Sequence, residues 1–309
     1  MKRLVYRIPY AHYKKIKRLG VAGYFLLDRW AAEMERSVAS LPPLEEHGGP
    51  ADLWYLTGAH FWYQTAYCAW TFGRHSGRSV RLHLVDDGTL TPDHTRALKR
   101  LFGTVEVISA EVSAVNLKQR LPPARYPTLN LRWHDYVHLR KLIDVHCGRE
   151  GPRLVLDSDM LFFSRPEALL NWLDAGDRRP MVYMTDCAES YGYSRALITN
   201  LVSAELPEKL NVGVCGLTSE QIDWKLLEEW SAHLLSQEGT SYYLEQALVA
   251  MIAARTECLQ LPLTDYITLP TRQQITDGVG VLQHYVASSK SDYFQYAWRL
   301  ARARCGVLS

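Results

Sequence analysis

Between residues 51 and 108, short apolar runs alternate with stretches of helical spacing, and no other feature restricts the fold of this chain so much. Residues 52–57 (DLWYLT) read as a buried strand, 61–72 as an aromatic-rich helix ended by Gly73, and 80–85 (VRLHLV) as a second strand closed by the turn Asp86-Asp87-Gly88. Thr91 is a ready N-cap with Pro92 at the first helical position, and the helix it starts leads to a third strand at 105–108. Strands spaced by helices imply a parallel sheet covered on both faces, an α/β architecture. A long helix is expected over 133–146, followed by a fourth strand, 153–156 (RLVL).

That fourth strand runs straight into Asp157-Ser158-Asp159, and apolar Met160-Leu-Phe-Phe163 follows. In sheets of this kind ligands gather at the carboxyl ends of strands, where this acidic pair would lie. Two anions held close together favour a divalent cation that neutralises both. Such a cation is usually held by one or two carboxylates together with substrate phosphates, which points to a nucleotide diphosphate. Further on, 181–184 and 211–217 (NVGVCGL) look like strands, 224–235 and 244–254 like helices, and 280–283 like a last strand leading into His284.

The chain has 309 residues, enough for a large core and a cleft, and no internal repeat divides it. Its 35 basic and 33 acidic residues leave a formal charge of +2, so nucleic acid is not an expected partner. Six scattered cysteines without a C-x-x-C pair indicate neither a zinc cage nor a disulfide framework. With no membrane-length apolar run and no leader-like amino terminus, a cytoplasmic location is expected. Residues 1–50 read as a basic helical extension joined by a loop to a continuous domain, 51–309. Lys14, Lys15, Lys17 and Arg18 could touch anionic lipid or an acidic partner, giving peripheral membrane contact, or form an ordinary solvated face.

Taken in order, these segments resemble a known family. The stretch 154–163 with Pro166 and the helix after it is similar to the D-x-D segment of GT-A nucleotide-sugar glycosyltransferases. Asn211-Val-Gly-Val resembles their N-x-G-V segment, and Glu245-Gln246 the acidic or D-Q pair that follows. His284, with Lys290 six residues later, resembles the H-x-x-G-x-x-K-P-W ending of family 8, the retaining enzymes related to glycogenin and the bacterial galactosyltransferases. Ala287 stands where that ending has Gly, and Ser291-Asp292 where it has Pro-Trp.

The resemblance implies a GT-A, Rossmann-like fold and transfer of a sugar, with retention, from a nucleotide-diphosphate donor, UDP-linked by preference, to a glycan, lipid-linked or protein acceptor. It places Thr57, Arg140 or Lys141, Asp157, Ser158, Asn211, Gly213 and Lys290 against the donor. Asp157, Asp159 and His284 would ligate Mn²⁺ or Mg²⁺, and an imidazole ligand suits Mn²⁺ better. Lys290 would share the charge on the departing diphosphate. Gln246 would face the anomeric carbon, and Glu245 would bind donor hydroxyls or orient that amide, unless Glu245 is an inverting general base. Two other uses of a D-x-D strand compete, both with Mg²⁺. A phosphatase of the haloacid dehalogenase type places the motif near the start of its chain, and a nucleotidyltransferase needs a Gly-rich basic loop after its first strand, which Gly58-Ala-His-Phe61 does not supply.

Overall fold

The computed structural model describes residues 23, 26–45, 48–176 and 179–307. The basic segment around Lys14 to Arg18 lies outside them. Among the described residues, ten strands form two sheets: β1 (Ala51–Thr57), β2 (Val80–Asp86), β3 (Val105–Ile108), β4 (Pro152–Leu156), β6 (Met181–Thr185), β7 (Leu210–Thr218) and β8 (Cys258–Gln260) in the larger, β5 (Met160–Phe162), β9 (Tyr266–Thr268) and β10 (Leu282–His284) in the smaller.

The larger sheet runs β3-β2-β1-β4-β7-β6-β8. The chain therefore steps outward from β1 to β3 and then returns to the other side of β1 as β4. This reversal opens a crevice beyond the carboxyl ends of β1 and β4, the place where open α/β sheets bind ligands. Strands β1 to β4 are mutually parallel, whereas β7 is antiparallel to both β4 and β6. The sheet is thus mostly parallel, with one reversed strand beside the D-x-D strand. Because β6 points the same way as β4, the residues that follow both strands emerge on one edge.

The helix Trp62–Ser76 joins the two sheets. Nearly all of its side chains are buried, Tyr67 and Trp70 among them, as a core-facing aromatic stripe requires. Phe72 meets Phe162 of β5 edge to face, and the Thr71 hydroxyl accepts the Phe162 N–H. Gly73 does not end this helix, which continues to a left-handed Gly77. A Cβ at Gly73 would lie 2.3 Å from a Leu44 methyl, so the missing side chain admits a neighbour and leaves the helix unbroken. Thr91 caps the next helix, Pro92–Phe102, as its sequence indicates.

Residues 26–37 are helical, and Leu27, Met34, Val38 and Leu41 are buried in the same core as β1 and β2. Arg100 donates to the carbonyls of Val38 and Leu41, and the Trp70 indole to that of Pro42.

The single helix expected over 133–146 is two helices, Pro127–Asp135 and Arg140–His146, separated by a 3₁₀ turn. Tyr136 leaves the helical region (φ −140°, ψ 92°), and its hydroxyl donates to the Tyr242 carbonyl. That tertiary bond competes with a helical continuation that the local sequence would permit. The last strand begins at Leu282, not Gly280, because Gly280 is in a left-handed turn (φ 80°), and it includes His284.

Candidate active site

At the end of β4 the Asp157 N–H donates to the Gly213 carbonyl of β7, which fixes the start of the acidic turn. β5 then pairs antiparallel with β10, with His284 opposite Met160, and the Tyr285 N–H donates to the Asp159 carbonyl. Imidazole and carboxylates, 125 residues apart between Asp159 and His284, are thereby clamped together by backbone bonds.

The two aspartates divide their oxygens. Asp157 gives Oδ1 to Lys141 Nζ (2.8 Å) and turns Oδ2 toward His284 Nε2 (3.7 Å). Asp159 gives Oδ2 to Lys290 Nζ (2.6 Å) and turns Oδ1 toward the same nitrogen (3.3 Å). One ligand atom from each of Asp157, Asp159 and His284 lies within 4.8 Å of the others. Two hard oxygens and one imidazole nitrogen this close together form a donor set that fits a divalent cation. Gly213 makes the room: a Cβ there would lie 2.5 Å from His284 Cε1.

Burial opposes ionisation of Asp159, but Lys290 and His284 outweigh it and hold its carboxyl well below the usual range. Burial also disfavours the His284 imidazolium, yet Asp159 and Asp157 raise its pKa overall, so a cation taking Nε2 would displace a proton. Lys141 is buried and held as an ammonium by Asp157 and by Glu245 (3.2 Å), despite desolvation. For Glu245, burial dominates over the attraction of Lys141, and with Asp157 adding repulsion its carboxyl is pushed up to about 7.

Of the two basic candidates, Lys141 is the one at the carboxylates. Arg140 is turned the other way, its Nε on Asp144 (2.8 Å), one Nη on the Asp86 carbonyl (2.8 Å) and its plane over Trp133. Asp86 accepts the N–H groups of Gly88, Thr89 and Leu90, so Asp86-Asp87-Gly88 is a turn. Thr57 and Ser158 both hydrogen-bond the Thr65 hydroxyl (2.9 and 2.8 Å), so their side chains face the helix Trp62–Ser76. Asn211 is buried, its Oδ1 accepting the Gly213 N–H.

Glu245 and Gln246 open the buried helix Leu244–Ala253. Gln246 Nε2 donates to Asp186 Oδ2 (3.2 Å), which orients the amide. Asp186, absent from the candidates read from the sequence, carries a sequence signal of its own: it directly follows β6, as Asp157 follows β4. At the carboxyl end, Ala287 keeps a left-handed backbone (φ 45°), a conformation natural to glycine. Tyr191 and Tyr193 are buried, and Arg195 pairs with Glu189.

No protein-family model matches the chain, and no curated protein matches it in sequence. Solved structures do. The structure of galactosyltransferase LgtC in complex with donor and acceptor sugar analogs superposes with a TM-score of 0.54 at 14% identity, over 84% of this chain and 96% of that one. The fold is GT-A. A second LgtC structure, of an active-site mutant, gives 0.50 at 14% identity over 77% and 88% of the two chains. Mouse xyloside xylosyltransferase 1 in its apo form gives 0.49 at 13% identity over 76% and 97%. The Asp157–Asp159–His284 cluster lies at the carboxyl end of β4, beside the switch in strand order between β1 and β4.

Proposed function

We propose that the protein is a metal-dependent glycosyltransferase that moves a sugar from a nucleotide-diphosphate donor, UDP-linked by preference, to an acceptor hydroxyl with retention of configuration. The observation that carries this reading is the convergence of Asp157 Oδ2, Asp159 Oδ1 and His284 Nε2 on one point at the carboxyl edge of a GT-A sheet. Asp157, Asp159 and His284 would hold Mn²⁺, which when bound supplies positive charge to the leaving diphosphate.

The chain's own groups do the rest. Lys290 now bonds Asp159 and would swing its ammonium to a phosphate oxygen, adding a second positive charge on the leaving group. Lys141 holds Asp157 and Glu245 in fixed positions and can donate to a donor hydroxyl from the same place. With Nε2 spent on Asp186, Gln246 keeps Oε1 for the electron-poor anomeric carbon, an oxocarbenium-like centre in glycosyl chemistry. Glu245 would accept hydrogen bonds from donor hydroxyls. Retention follows if the acceptor hydroxyl approaches the face the diphosphate leaves and passes its proton to the departing phosphate.

A panel of nucleotide sugars with Mn²⁺ or with EDTA, on the wild type and Asp159→Asn, tests this. The expected result is metal-dependent donor turnover that falls by at least about a hundredfold in the variant. Turnover of no donor, or equal turnover by both proteins, contradicts it. Among the described residues no helix is long and apolar enough to cross a membrane.

A further inference from the structure

A cavity of about 510 Å³ lies between the helix Ala110–Arg120 and the end of the helix Arg140–His146. That is the size of a small-molecule site. It is not the reaction site: Lys141, in the first turn of the second helix, reaches Asp157 and Glu245, whereas Asp144 and Cys147, in the last turn and just beyond it, line the cavity.

One wall is apolar. Ile108, the last residue of β3, faces the cavity together with Val112 and Val115, which lie one turn apart on the same helix face. These two valines are 57% and 55% exposed. Aliphatic side chains left to water side by side over a cavity gain free energy when a ligand covers them.

The other end is cationic. Gly148, in a left-handed conformation (φ 71°), turns the chain so that Arg149 lines the cavity. Arg149 stacks over Trp54, its guanidinium carbon 5.2 Å from the ring, and forms no ion pair with any described residue; its buried Nε has no hydrogen-bond acceptor. Arg120 reaches the same corner, for a Cβ on Gly148 would lie 2.9 Å from its Nε, and it too forms no ion pair with a described residue. Behind them Arg153, 5.0 Å from the same Trp54 ring, gives Nη1 to the carbonyls of Glu150 and Gly151 and to the Ser219 hydroxyl.

The neighbouring acids are already engaged. Asp144 is held by Arg140 and the Trp133 indole, Glu220 by the Gly151 N–H, and Asp52 by Arg81 and His83. Glu111 is exposed at the far end of its helix, about 14 Å from Arg120 along the axis, which exceeds the screening length of about 8 Å in physiological salt. Guanidiniums that no carboxylate of the chain neutralises, at one end of an apolar wall, suit an anionic head that carries a hydrocarbon body.

We infer that this cavity binds a small anionic amphiphile, its carboxylate or phosphate head on Arg149 and Arg120 and its hydrocarbon body along Ile108, Val112 and Val115. The site is independent of the glycosyl-transfer reading. Octanoate, octyl phosphate and octanol, each below its micellar concentration, are titrated into the full-length protein in EDTA and followed by ligand-observed NMR, with acetate and inorganic phosphate as heads without a chain. At least one of the two octyl anions should bind about tenfold or more above octanol and above its own chainless head. The stronger arm distinguishes carboxylate from phosphate. Arg149→Gln should remove most of the preference for the anion. Val115→Asp, at an exposed position, should weaken binding of both octyl anions by about tenfold, and it decides the matter if Arg149→Gln does not fold. Asp159→Asn, in the reaction site, should bind as the wild type does. Octanol or the chainless heads binding as well as the octyl anions, or wild-type affinity in Arg149→Gln or Val115→Asp, overturns the inference. Altered binding in Asp159→Asn overturns it as well, by placing the ligand at the reaction site.

Discussion

Two clusters of the same composition, a histidine between two carboxylates, lie on different parts of this molecule. In the first, Asp52, His83 and Glu106 cross β1, β2 and β3; in the second, Asp157, Asp159 and His284 meet beyond the end of β4. His83 spends one ring nitrogen on each acid, Nε2 on Asp52 and Nδ1 on Glu106, both at 2.7 Å, and stacks on Trp54 at 4.3 Å. Its acids are open to water, Glu106 at 52%. At the second cluster both acids aim at a single nitrogen, their other oxygens are held by lysines, and the histidine is 4% exposed. The first is a closed chain of hydrogen bonds, whereas the second leaves lone pairs converging on one point. Residue types do not make a cation site; the direction of their lone pairs does.

The contrast can be broken most severely at Gly213. A methyl group there must displace the His284 ring, so Gly213→Ala should lower Mn²⁺ affinity by about ten- to a hundredfold, read by calorimetric titration. Wild-type affinity in that variant would mean that the imidazole is not a ligand.

A middle-sized effect concerns the charge of Glu245, which shares Lys141 with the second cluster. Burial raises the Glu245 carboxyl to about 7 against an ordinary 4.5, so the native state holds a proton that the unfolded chain releases. Native stability should therefore decline, relative to Glu245→Gln, as pH rises from about 4.5 to about 7. The stability difference between the two proteins, from melts at pH 5 and pH 8 in EDTA, should change by about 1–3 kcal/mol. A difference independent of pH would mean that Lys141 keeps Glu245 ionised throughout.

The smallest effect belongs to the first cluster. His83→Gln should cost about 1 kcal/mol or less in urea unfolding, as exposed ion pairs do, and should leave donor turnover unchanged. Lost turnover there would erase the distinction between the clusters.

The same contrast explains how much of the molecule could be read in advance. Strands β1 to β4 were legible because each is a short apolar run bounded by local signals, such as the Thr91 cap and the turn at Asp86. Asp157 and Asp159 were legible from their place after β4, and His284 with Lys290 from their resemblance to the family 8 ending. The aim of Oδ1 and Oδ2 was not, because it depends on Lys141 and Lys290 arriving from separate elements. Gly73 misled because close packing and helix termination call for the same residue. The break at Tyr136 stayed hidden because its cause, the Tyr242 carbonyl, lies 106 residues away.

Electron paramagnetic resonance of Mn²⁺ titrated into the wild type, His284→Ala and His83→Ala tests the central claim most directly. One saturable site should appear in the wild type and in His83→Ala and be lost or weakened by at least about tenfold in His284→Ala. Equal binding by all three proteins, or by none, would contradict a cation held between Asp157, Asp159 and His284.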